Sequence, residues 1–220
     1  MLLDFYGTVV DEDGPVIRGI VRQIVREHPE HSVRSLAQTW GQVFSDLLAD
    51  SHGATFRTQR ELEIESLATL LHTVGSTLDP IELSVDQFAY WQSPAVRPGA
   101  AAFLDACPVP VCVVSNIDRA DLDAAIRHTG LHLPLSVTSE DVRSYKPRAE
   151  LFEAGLRMLG LGRQEVLHVG DSLSSDIAGA NALGIDAAWV NEQQRTAPKG
   201  AQIRRQCSDL RDLLPLFVPV

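Results

Sequence analysis

Two textures of apolar and polar positions run along this chain, and they change over near Pro94. Leu2 and Leu3 lead into Asp4 and Phe5 and then a Gly-Thr turn, the pattern of a buried strand feeding a loop. Asp11 to Gly14 breaks that run. Pro15 is placed to open a helix, and Val16, Ile17, Ile20, Val21, Ile24 and Val25 recur at helical spacing behind it. A second helix is predicted from about Ser32 to Asp50, a third from about Thr58 to Val74, and a shorter fourth from Ser84 to Gln92. Residues 14–94 therefore read as a block of helices without a strand. Beyond Pro94 the elements alternate. Helices are predicted at Pro98–Ala106, Asp118–Thr129, Arg148–Leu159 and Asp176–Leu183, and strands at Val109–Ser115, Leu135–Thr138, Val166–Gly170 and Asp186–Val190. Asn191 to Gly200 is the most linker-like stretch, before a last amphipathic helix at Ser208–Phe217.

Strands that are apolar on both faces and alternate with helices indicate a parallel sheet covered by helices. The expected fold is α/β, a Rossmann-like parallel sheet flanked by helices, with an inserted α-helical unit. Residues 1–13 and 95–220 would form the core and 14–94 the insertion. In such sheets ligands collect beyond the carboxyl ends of the strands. Three strands here end in polar residues that an apolar strand does not need: Asp4, Ser115-Asn116 and Asp171-Ser172. Lys146 sits in a loop just before Pro147. Each alone fits a helix cap or a turn; their convergence on one sheet edge points to a site.

Composition narrows the chemistry. The 220 residues carry a formal net charge of −10, which argues against nucleic-acid and membrane partners and still allows a small anionic substrate in a locally cationic pocket. Cys107, Cys112 and Cys207 form no C-x-x-C pair and read as reduced thiols of a cytoplasmic protein. No apolar run reaches the roughly 20 residues that span a bilayer. The N-terminus enters structure at once, without a signal-peptide pattern. Only three residues precede Asp4, a short run-in for a first strand, which leaves open a start upstream of Met1. Monomer and homodimer are both open, with Phe88 and Trp91 as candidate dimer residues.

Asp4-Phe5-Tyr6-Gly7-Thr8, Val113-Val114-Ser115-Asn116, Ser144-Tyr145-Lys146-Pro147 and Val169-Gly170-Asp171-Ser172 with Asp176 resemble, in order, the four motifs of the haloacid dehalogenase (HAD) superfamily of hydrolases. The helical block resembles the α-helical cap of one of its subgroups. The resemblance implies that Asp4 is the nucleophile and that Lys146 holds it and the transferring group by charge. Asp176 would support the site or orient Lys146. Ser115, Asn116, Thr8 and Ser172 would bind substrate. Asp4, Asp171 and the backbone carbonyl of Tyr6 would hold Mg²⁺, a hard ion content with one or two carboxylates plus a phosphate.

The motifs divide on what is attacked. Phosphatases of the superfamily carry an acid where this chain has Tyr6, and a phenol near pKa 10 is a poor proton donor at neutral pH. Dehalogenases carry Tyr there, but they replace Asp171 by Ser and place an arginine just after a cap tryptophan. Trp40-Gly41-Gln42 is the matching stretch and lacks that arginine; Arg57 or Arg60 could stand in. A narrower likeness of residues 115–119 and 141–147 points to a related branch that opens a strained ring at carbon. The favoured expectation is a Mg²⁺-dependent phosphatase, with Tyr6 in an altered catalytic role. A metal-independent dehalogenase or related hydrolase, and a catalytically weak ligand-binding protein, remain as alternatives. His168, inside a predicted strand, reads as a packed core residue.

Overall fold

The computed structural model describes residues 1–217. Six parallel strands form one sheet in the order β3-β2-β1-β4-β5-β6, with β1 at Leu2–Leu3, β2 at Cys112–Ser115, β3 at Ser136–Thr138, β4 at Leu167–Gly170, β5 at Asp186–Val190 and β6 at Arg205–Cys207. From β1 the chain builds outward first on the β2 side and then on the β4 side. The carboxyl end of β1 therefore opens at the point where the winding reverses, the place where parallel sheets bind ligands. Successive side chains point to opposite faces. Leu3, Val113 and Val169 pack on one face with Phe103 of α5 (Ala100–Ala106) and Leu122 of α6 (Arg119–Thr129). Leu2, Cys112 and Val114 pack on the other with Phe152 and Leu156 of α8 (Ala149–Leu159). A one-turn helix, α7 (Ser139–Val142), precedes α8, and a π-turn at Leu173–Ile177 runs into α9 (Ala178–Ala182).

Four helices precede α5: α1 (Gly14–Glu27), α2 (Val33–Asp50), α3 (Gln59–Val74) and α4 (Pro80–Gln92). They close on a separate apolar cluster that includes Ile20, Ile24, Leu36, Trp40, Leu67 and Leu70. Their starts follow capping chemistry. Ser32 accepts from the Ser35 N–H, and Thr58 and Glu61 form a reciprocal capping box. The fourth helix begins four residues before its predicted start. Asp79 accepts from the Ile81 and Glu82 N–H groups at 2.7 and 3.2 Å, and Pro80 occupies the first turn, where its missing N–H costs nothing.

The structure also departs from expectation at the other end of the chain. β2 starts at Cys112 rather than Val109. Between the linker-like stretch and the last predicted helix, where no element was expected, lies β6, whose Arg205 and Gln206 are exposed at the sheet edge; its pairing with β5 is made by backbone, so no apolar alternation announced it. The last predicted helix is a 3₁₀ segment, Leu210–Leu216, containing Pro215, which has no N–H to continue an α-helix. Among the described residues no helix is long and apolar enough to cross a membrane. All three cysteines are free.

Candidate active site

The Asp4 N–H donates to the Val169 carbonyl at 2.9 Å, which extends the β1–β4 ladder to its last residue. The chain then turns tightly, with the Phe5 carbonyl accepting from Val9 and Val10 at 2.8 and 3.0 Å. Gly7 has φ +83°, and a Cβ there would lie 2.7 Å from the Asp171 carboxylate. Only glycine tolerates both conditions, and its bare backbone lets the loop after β1 and the end of β4 touch.

Lys146 reaches this edge from the loop before α8. The Asn116 amide grips its backbone from both sides, accepting from the Lys146 N–H at 2.7 Å and donating to its carbonyl at 3.1 Å. The residue is 1% exposed, and its ammonium donates to Asp4 Oδ1 at 2.7 Å, Asp176 Oδ1 at 2.7 Å and the Val114 carbonyl at 2.8 Å. Burial pushes its pKa down, but the Asp176 and Asp4 charges outweigh that and hold the ammonium above its ordinary range. Thr8 donates to the other Asp4 oxygen at 3.0 Å. Both Asp4 carboxylate oxygens are thus held in place.

Asp176 accepts three hydrogen bonds within the chain. Its Oδ1 accepts from Lys146 and from His168 Nε2 at 2.9 Å, and its Oδ2 from the Ser172 N–H at 3.0 Å. Burial pushes its carboxyl up, yet Lys146 and the His168 bond prevail and hold it well below the ordinary carboxylate range. Asp176 thus bonds the very ammonium that bonds Asp4. His168 is not merely packed: burial lowers its pKa, so the ring is neutral, with the proton on the nitrogen facing Asp176. A Cβ at Gly170 would overlap the Asp176 carboxyl, so the strand needs glycine there for Asp176 to approach. No spacing rule pointed to His168; only the placement of β4 against the π-turn brings it to Asp176.

Asp171 stands apart from these bonds. Its backbone carbonyl accepts from Trp189 Nε1 at 2.9 Å and Arg195 at 2.8 Å, but the nearest cation to its carboxylate, Arg195, is 4.0 Å away. Burial, then the Asp4 and Asp176 charges, push it up to about 8. Asp4 is pushed up to about 6, chiefly by burial, with Lys146 opposing and Asp176 adding to the rise. Asp4, Asp171 and Asp176 each offer an oxygen within 4.8 Å of the others.

The remaining candidates have the following surroundings within the chain. Ser172 uses its hydroxyl to cap Ser175 and its N–H on Asp176, so its polar groups serve the turn. The Tyr6 hydroxyl donates to the Trp91 carbonyl at 2.5 Å, and burial, with Asp121 and Asp13 next, drives its pKa further up. Ser115 is buried at the end of β2, beside the Asn116 that clamps Lys146. Arg57 pairs with Glu65 on the surface. Arg60 forks onto Asp121 at 2.7 and 2.5 Å and lies over the Phe88 ring. Trp40 is buried, and its indole donates to Ser66 at 2.9 Å.

The model of the haloacid dehalogenase-like hydrolases matches residues 1–184. The chain belongs to that family. Among its relatives, the pyrimidine 5'-nucleotidase YjjG of Escherichia coli (strain K12) is 32% identical over 125 residues, 54% of this chain and 56% of that protein. The (S)-2-haloacid dehalogenase of Pseudomonas sp. (strain YL) is 34% identical over 113 residues, 49% of this chain and 47% of that protein. The chain thus spans about half the length of these relatives. The solved structure of the L-2-haloacid dehalogenase RSc1362 superposes with TM-score 0.81 at 18% identity, covering 98% of this chain and 96% of that one. These likenesses bear out an α/β HAD hydrolase. Phosphatases and dehalogenases both stand among the relatives.

Proposed function

We propose that this HAD hydrolase is a Mg²⁺-dependent phosphatase of a small phosphorylated metabolite, with Asp4 as nucleophile and residues 14–94 as its cap. The observation that carries the reading is unbalanced charge. Three carboxylates face one ammonium, and Asp171, with no cation in hydrogen-bond reach, is pushed up to about 8. The donor set fits a hard divalent ion: Asp176 is engaged by Lys146, His168 and the Ser172 N–H, while Asp4, Asp171 and the Tyr6 carbonyl are the oxygens that would hold Mg²⁺, with water completing its shell. When bound, the ion would offset the repulsion between these carboxylates and an anionic phosphoryl group.

The chain's own residues set the rest. Lys146 and Thr8 orient the Asp4 carboxylate, Asp176 and His168 orient Lys146, and Ser115 with the Asn116 backbone receives the phosphoryl oxygens. Asp4 attacks phosphorus, the bond to the leaving oxygen breaks, and water hydrolyses the acyl phosphate to restore the carboxylate. Tyr6 is bound to Trp91 and holds its proton tightly, so the leaving oxygen departs unassisted or takes its proton from solvent. Aryl and acyl phosphates are the substrates such a site handles best. The free thiols and the absence of basic clustering fit a cytoplasmic enzyme of small molecules.

Tyr6 favours a second reading, displacement at carbon without metal. That reaction needs a cation for the substrate carboxylate, and both candidate arginines are paired elsewhere. A panel of phosphate esters and 2-haloacids, each run with Mg²⁺ and with chelator, separates the two. Phosphate release from an aryl ester, lost in chelator and in Asp4→Asn, is the expected outcome. Halide release indifferent to chelator establishes the second reading instead, and no turnover of either class leaves a binding protein.

A further inference from the structure

The link between α2 and α3 is closed on itself. The buried Ser51 hydroxyl donates to the Arg57 carbonyl at 3.2 Å and accepts from the Arg57 N–H at 2.7 Å. This loop lies against the segment of the core that carries Lys146. The Gly53 N–H donates to the Arg143 carbonyl at 2.8 Å, and Arg143 Nε returns a bond to the Gly53 carbonyl at 3.0 Å. The Phe56 ring stacks on the Tyr145 ring, centroids 5.3 Å apart, and the Tyr145 hydroxyl donates to the Arg57 carbonyl at 2.8 Å. Arg148 donates to the Ala49 carbonyl near the end of α2 at 2.8 Å. The helical block thus holds Arg143, Tyr145 and Arg148, on both sides of Lys146 in the chain.

Two features set these contacts apart from ordinary interface packing. Arg143, which ends α7, has φ +52°, and among the described residues Gln194 is the only other non-glycine with positive φ. Side chains are crowded in that conformation, and it persists where the surroundings over-determine it, as the two bonds to Gly53 do here. Tyr145 is 1% exposed, so its hydroxyl needs a partner, and it finds one in the helical block 88 positions away. One planar peptide joins Tyr145 to Lys146 and fixes their Cα atoms about 3.8 Å apart, so a pull on the first moves the second. The other support of Lys146 is tied to the block as well. The Gln59 and Arg60 N–H groups at the start of α3 donate to Asp118 at 2.7 and 3.1 Å, just beyond the Asn116 that clamps the Lys146 backbone.

We propose that Tyr145 is a positioning residue of the reaction, which ties the placement of Lys146 to the seating of the helical block through the Arg57 carbonyl and the Phe56 ring. The block then does more than cover the site. The Lys146 ammonium stands within reach of both Asp4 and Asp176 only while residues 49–60 are seated on the core. A misplacement of about 1 Å at a reacting group lowers a rate by as much as about 10²-fold, so a loosened seat is felt in the chemical step. It is felt equally by a substrate too small to touch the helical block. The effect on turnover rests on the phosphatase reading with Asp4 as nucleophile; the tie between the block and Lys146 does not.

Lys146 and Lys199 are the chain's two lysines, and Lys199 is exposed, so it serves as an internal standard. Brief treatment of the intact chain, free of metal and substrate, with acetic anhydride, read by peptide mass spectrometry, reports how often Lys146 leaves its place. Tyr145→Phe keeps the ring on Phe56 and loses the bond to Arg57. It should raise acetylation of Lys146 relative to Lys199 at least about threefold. It should lower kcat about three- to tenfold with KM within about twofold, by the same factor for acetyl phosphate as for an aryl phosphate. Arg143→Met, which loses the Nε bond to Gly53, should act in the same direction and decides if Tyr145→Phe does not fold. Ile185→Val, a buried change at the opposite end of the sheet, controls for lost stability and should leave both readouts at native values. Unchanged acetylation in both variants, a ratio raised as much by Ile185→Val, or a rise in KM at constant kcat overturns the proposal. So does a loss confined to the aryl ester, which would place the action of the block on the leaving group. Raised acetylation in a chain that turns over no ester leaves the tie standing and removes the phosphatase. Phosphate release with unchanged acetylation does the reverse.

Discussion

Replacing Lys146 by Met removes the one cation that holds Asp4 and leaves two buried carboxylates facing each other. Three hydrogen bonds of 2.7–2.8 Å disappear from a side chain that is 2% exposed. Asp176 keeps His168 and the Ser172 N–H, and Asp4 keeps Thr8. Breaking a buried pair from one side costs about 3–5 kcal/mol, because the remaining charge stays desolvated. For a chain of this size that corresponds to a fall in Tm of roughly 6–20 °C. The loss depends on pH in a definite direction. Asp4 already sits near 6, above its unfolded value, and rises further once Lys146 no longer opposes burial. A carboxyl whose folded pKa is raised binds more protons folded than unfolded, so stability falls as pH climbs from the unfolded pKa to the folded one. Asp176, held low by Lys146 in the native chain, stabilises above its unfolded pKa, and the variant loses that contribution. Both effects widen the gap between native and variant chains as pH rises. Thermal melts in chelator, from about pH 5 to about pH 8, measure the gap. A Tm within about 2 °C of native across that range, or a gap that narrows toward pH 8, refutes the account of Lys146 as the keystone of the charge balance.

Tyr6→Asp restores an acid at the leaving-group position and should raise turnover of alkyl phosphates by about 10²-fold while changing aryl phosphates little, measured as kcat/KM for both classes. An equal change for both classes would mean that Tyr6 acts through the Trp91 contact rather than through a missing proton. Gly170→Ala puts a methyl into the Asp176 carboxyl and should cost about 1–3 kcal/mol in denaturant melts. It should also lower turnover through the displaced Lys146.

The order of the elements, and which polar residues stand at strand ends, were legible in the chain because they follow from local patterns. An apolar run of strand length ending in Asp4, or in Asp171, carries its own evidence, as does the helical period of Val16 to Val25. Elements held by backbone pairing were not legible. β6 has polar residues because it is an edge, and nothing within Arg205–Cys207 says that β5 lies beside it. Side-chain partners were hidden for the same reason. His168 looks apolar in its setting until the π-turn brings Asp176 to its ring, and nothing around Tyr6 in the sequence says that its hydroxyl meets a carbonyl 85 residues away. Gln87 in α4 is the clearest case. Gln87 is an ordinary helix residue by sequence; its carbonyl is left unpartnered because its two N–H groups are drawn to carboxylates 24 and 74 positions away. Burial and hydrogen-bond satisfaction are properties of surroundings, and the folded chain alone brings these surroundings together.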